Sequence, residues 1–107
     1  MYKNGAHYPL ADVQRAFVEG RYDLSNSARE YMSMEEMTRE ELVECVCAMR
    51  RNNCSQSMTH NSDNKVWIDS YVFKRSDGAK WYLKVHPSFA DPDNRFFLMR
   101  LHPSDGE

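Results

Sequence analysis

Residues 55–86, SQSMTHNSDNKVWIDSYVFKRSDGAKWYLKVH, decide the fold. Aromatic and β-branched residues come here in short runs separated by turn residues. The pattern predicts strands near 55–60, 66–74 and 80–86, with a fourth near 95–102. NSDN (61–64) makes the first connection. SDGA (76–79) makes the second, and its Asp-Gly pair is a strong hairpin signal. PSFADPDN (87–94) is a longer, proline-bearing loop before the last strand.

Upstream the period changes. Leu10, Val13, Ala16 and Phe17 recur at helical spacing, Pro9 suits the first turn, and Gly20 ends the run. RYDL (21–24) reads as a short extended link. Ser25 offers an N-cap to a short helix near 26–32. TREELVECVCAMRR (38–51) is the clearest helix, with Thr38 and Glu41 spaced as a capping box. Its predicted buried stripe is Leu42, Val43, Val46, Cys47 and Met49. Arg50 and Arg51 fall where the helix dipole favours cations. Helices followed by a meander give an α+β arrangement, with N-terminal helices packed on one face of an antiparallel β-sheet.

The chain has 107 residues, which predicts one domain over 1–107 with a thin core. Apolar runs are too short for a membrane span, and MYKNGAHYPL (1–10) has no apolar signal core, so a cytoplasmic protein is expected. Cys45, Cys47 and Cys54 lack zinc-ligand spacing, so no metal or other cofactor is expected. Cys45 and Cys47 read as small buried residues. Charge is uneven. Residues 1–64 carry seven Lys/Arg against ten Asp/Glu, while 65–102 carry seven against four. A basic second half suits an anionic ligand.

Alternation along the strands sorts the side chains. Trp81, Leu83 and Val85 share one face; Tyr82, Lys84 and His86 share the other. In the last strand, unbroken alternation groups Phe97, Met99 and Leu101 against Phe96, Leu98, Arg100 and His102. The outer set could hold a phosphate and move protons: lysine and arginine stabilise phosphoryl charge, and tyrosine or histidine serves as acid or base. A solvated sheet face decorated with long polar side chains, without function, has the same alternation. Asp69, on a strand apolar on both faces, needs partners and reads as an anchor for a backbone amide or hydroxyl.

Ser57-Met58-Thr59, Ser62-Asp63, Trp67, Asp69, Tyr71, Gly78 and Tyr82-Leu83-Lys84, in this spacing, resemble the MqsR family of toxin–antitoxin ribonucleases. The N-terminal YPLADVQRAFVEG (8–20) is similar to that family's first helix. The resemblance implies a RelE-like fold, metal-independent cleavage of messenger RNA, and a cognate antitoxin that carries its own zinc. It puts Tyr82, Arg100 and Gln56 at the family's site positions; with Lys84 and His60, taken from the chain's own residues, they form the candidate catalytic set. Lys80, His86, Lys74 and Arg75 are the candidate RNA-binding residues. Two positions depart from the family pattern: Gln56 stands where a lysine is usual, and Ile68 where a glutamine is usual. Two functions follow as expectations. One is an endoribonuclease toxin, alone as a monomer or in a complex with its antitoxin. The other is a non-catalytic protein-binding module on the same scaffold.

Overall fold

The structure, a computed structural model, describes residues 2–75 and 77–104. Ser76 of the predicted hairpin turn lies outside the described residues. In chain order the elements are β1 (Tyr2–Lys3), α1 (Leu10–Val18), β2 (Tyr22–Leu24), α2 (Asn26–Met34), α3 (Arg39–Ala48), β3 (Cys54–Thr59), β4 (Trp67–Lys74), β5 (Lys80–Pro87) and β6 (Phe96–Pro103). The expected α+β architecture is present. Among the described residues the sheet has six strands in the order β1-β3-β4-β5-β6-β2. The meander β3–β6 is antiparallel throughout.

Local chemistry sets the helix ends. Pro9 precedes α1, and Gly20 (φ +76°) closes it. The Arg21 amide returns to the Ala16 carbonyl and the Gly20 amide to that of Phe17, which is the Schellman pattern. α2 ends the same way with Glu36 at φ +52°, a non-glycine residue in the left-handed region. Ser25 Oγ accepts the Ala28 amide. Thr38 and Glu41 complete the capping box. α3 stops at Ala48, so Arg50 and Arg51 lie beyond its last turn rather than within it. Its buried residues are Leu42 and Val46; Met49 is buried just after it, whereas Cys47 is exposed. Gln14 Nε2 from α1 reaches the carbonyls of Val46, Met49 and Cys47 at 3.1–3.2 Å, which satisfies helix-end acceptors.

All three helices share one apolar core with the sheet: Val13 and Phe17, Ala28 and Met32, Leu42 and Val46 meet Tyr71, Phe73, Trp81, Leu83, Val85, Leu98 and Leu101. This leaves the opposite face of the meander open. Two features depart from the sequence pattern. RYDL contains strand β2, which pairs parallel with β6. Arg95 fixes it with two hydrogen bonds to the Asp23 carboxylate and one to the Tyr22 carbonyl, each 3.0 Å. The second is a bulge in β6. Lys84 faces Arg100, but Val85 faces Leu98, so Met99 is the extra residue. One added residue reverses the facing of everything before it. Leu98 therefore joins the core and Phe97 moves to the open face, the reverse of the expected grouping.

Candidate functional site

Strand register builds a polar row on the open face. Gln56 faces Ser70, Ser70 faces Lys84, and Lys84 faces Arg100. Directly opposed residues project to the same side. The neighbouring row is Val72, Tyr82 and His102. Tyr82 and His102 stack at 5.2 Å, and Lys84 Nζ stands 5.7 Å from the Tyr82 ring centroid. Tyr82, Lys84 and Arg100 thus converge; Arg100 is exposed, and the other two are half-buried. Ser70, at the centre of the row, is fully buried, and its hydroxyl has no hydrogen-bond partner among the described residues.

Electrostatics single out this face. By alternation, the open-face positions of β3–β6 include Lys74, Lys80, Lys84 and Arg100 and no carboxylate. Most acidic residues lie on or beside the helices, on the other side. A net charge of −2 therefore conceals a basic surface. Among the described residues, no three His, Cys, Asp or Glu side chains gather as a metal site requires.

The histidines occupy two ends of the face. LKVHPS (83–88) and MRLHPS (99–104) repeat one pattern on antiparallel neighbours. Lys84 and Arg100 therefore meet at the centre, and His86 and His102 flank them. In each, Nδ1 lies against the following proline's carbonyl, at 2.7 Å for His86 and 2.9 Å for His102. A carbonyl only accepts, so Nδ1 carries the proton and Nε2 is the basic nitrogen of the neutral ring. The environments differ. His102 is half-buried between Tyr82 and Tyr31, whose ring is 5.9 Å away. His86 is 1% exposed, packed against His60, Phe89 and Phe97. Burial pushes its imidazole below the ordinary value, opposed by the Pro87 hydrogen bond and reinforced by His60.

Several expected positions need correction. His86 was expected on an exposed surface and is instead covered. His60 accepts the Ser62 amide at Nδ1 and packs on His86 and Phe89, away from Tyr82. Arg75 turns to the helix side, where its guanidinium lies 5.5 Å from the Trp81 ring, in a cleft it shares with Glu41 and Glu44. Lys74 and Lys80 oppose each other near the hairpin end of the open face, and both are exposed. His102 was placed on the outer face by alternation but was not among the candidate catalytic or RNA-binding residues; the repeated His-Pro-Ser was a further signal for it.

The motif's remaining residues do different work. Asp69 is fully buried and accepts the His7 and Tyr8 amides at 2.9 Å each and the Ser57 hydroxyl at 2.6 Å. This is the anchoring role expected of it. Tyr8 Oη accepts the Trp67 amide at 3.1 Å, and His7 stacks on Trp67 at 5.0 Å. Ser57, Trp67 and Asp69 therefore fasten the segment before α1 to the sheet.

The family described as "Motility quorum-sensing regulator, toxin of MqsA" matches residues 5–90 of this chain, which takes in the Asp69 anchor and β3 to β5. The chain belongs to the MqsR toxin family. Membership makes it the toxin of a toxin–antitoxin pair, with an antitoxin as partner. The MqsR match ends before β6, so Arg100 and His102 are placed on the site by strand register alone. No curated protein matches the chain. Among the described residues, no helix is long and apolar enough to cross a membrane.

Proposed function

We propose that this chain is an endoribonuclease that cuts messenger RNA without a metal and is inhibited by its cognate antitoxin in the cytoplasm. The observation that carries this reading is the basic row Gln56–Ser70–Lys84–Arg100 beside the Tyr82–His102 stack. Metal-free cleavage needs three things: a base for the ribose 2′-hydroxyl, positive charge for the phosphorane, and an acid for the leaving 5′-oxygen. His102 Nε2 takes the 2′-hydroxyl proton as the 2′-oxygen attacks phosphorus. Lys84 and Arg100 stabilise the added negative charge. The Tyr82 phenol gives its proton to the departing oxygen. The products are a 2′,3′-cyclic phosphate and a 5′-hydroxyl. Gln56 contributes an amide at the edge of the row. Buried His86 and distant His60 take no proton in this scheme.

Incubation of purified protein with total RNA in chelator tests the reading. Cleavage is expected, with loss of about 10²–10³ in rate for Tyr82→Phe or Arg100→Ala. Unchanged cleavage in the double variant refutes this site.

One observation favours the alternative of a protein-binding module. Ile68, where the family pattern has glutamine, is 5% exposed and offers the open face no polar group. RNA left intact at high protein concentration, together with tight binding to a protein through the open face, would establish it.

A further inference from the structure

The open face ends, beyond Lys84 and Arg100, in an aromatic group to which the proposed chemistry assigns nothing. Phe89 sits in the loop between β5 and β6. Its ring centroid is 5.0 Å from that of His60 and 5.1 Å from that of His86. Phe89 is 55% exposed, although the two imidazoles hold it from behind. His86 is two residues from Lys84 along β5, about 6.8 Å of strand, which is within the reach of one nucleotide of an extended single strand. The loop's carboxylates are directed elsewhere. Asp91 accepts Asn94 Nδ2 at 3.1 Å, and Asp93 lines a separate cleft with Tyr8 and Arg95.

We propose that Phe89, backed by His60 and His86, is a stacking platform for one unpaired nucleobase of single-stranded RNA. The nucleotide it holds neighbours the phosphate at Lys84 and Arg100. Single-stranded RNA is recognised largely by splaying bases onto aromatic rings while cations hold the backbone. This face has that arrangement: cations at the centre and an exposed ring one step away. The platform rests on the RNA reading above but needs no cleavage.

The probe is an oligonucleotide of about ten nucleotides, fully 2′-O-methylated so that it cannot be cut, with 2-aminopurine at one position. Titration with the full chain should quench 2-aminopurine at one register. Phe89→Leu, which keeps an apolar side chain but removes the ring, should weaken binding about tenfold and abolish the quench. Phe89→Tyr should restore both. The slope of log affinity against log salt should stay unchanged in Phe89→Leu and fall by about one in Lys84→Ala. Wild-type affinity in Phe89→Leu overturns the proposal. So does a salt slope that falls with it, because the ring would then act only by positioning the cations. No oligonucleotide binding by the wild type also overturns it and leaves the patch to a protein partner. If unmodified RNA is not cut but Phe89-dependent quenching persists, the platform stands and the ribonuclease reading falls.

Discussion

Asp69 and Ser70 are consecutive, both fully buried, and opposite in condition. On the helix side, the Asp69 carboxylate receives two amides and a hydroxyl. On the open side, the Ser70 hydroxyl has no partner among the described residues and lies in register between Gln56 and Lys84. The family motif thus divides by strand parity. Its odd-numbered members, Ser57, Trp67 and Asp69, close the fold, while the open face receives Gln56, Tyr82 and Lys84. A motif shared by sequence is therefore not a list of catalytic groups.

Variants can break that division, beginning with the closed side. Asp69→Ala removes the acceptor from two part-buried backbone amides and the buried Ser57 hydroxyl and should cost about 3 kcal/mol, read as a lower urea midpoint. If it unfolds like the wild type, the anchor is not structural. On the open side, Lys84→Ala should lower RNA affinity or cleavage about tenfold or more while the urea midpoint stays within error. A matching loss of stability would mean that the row is also architecture.

His86 sharpens the contrast through pH. Its folded value is depressed, so the unfolded chain binds the proton more readily. Stability should be complete above the ordinary imidazole value of 6.5 and fall as pH drops below it toward the depressed folded value. His86→Gln should flatten that decline in denaturation curves collected from about pH 7.5 to 5. A slope unchanged by the substitution would assign the decline to other groups. The smallest effect concerns neither face. Glu36→Gly should relieve the left-handed strain at the end of α2, gain about 1 kcal/mol and raise Tm by a few degrees.

Much of this architecture was legible in sequence because it follows local rules. Capping at Ser25 and Thr38, the Asp-Gly turn and the alternation in β4 and β5 each depend on neighbouring residues. Three features do not. The Met99 bulge leaves no mark on an apolar run such as FFLM, yet it decides whether Phe97 or Leu98 enters the core. β2 is three residues long, and its partner lies more than 70 positions away. His86 alternates outward as expected, but its covering comes from a loop ring that no periodicity places. The site followed the same division. Alternation alone grouped Tyr82 and Lys84, and Arg100 and His102, on the outer face, because all four lie to one side of the bulge; that Tyr82 meets His102 and Lys84 meets Arg100 required the register between strands.

β6 also bears on timing. It holds β2 in place from one side, pairs with β5 on the other, and brings Arg100 and His102 to the open face. It is the last of the described elements to leave the ribosome. A nascent chain that has released everything through β5 has its Asp69 anchor but only half of the cationic pair. Docking of β6 is therefore the step that both closes the core, through Leu98 and Leu101, and completes the cationic pair, so the open face is assembled only when the fold itself is.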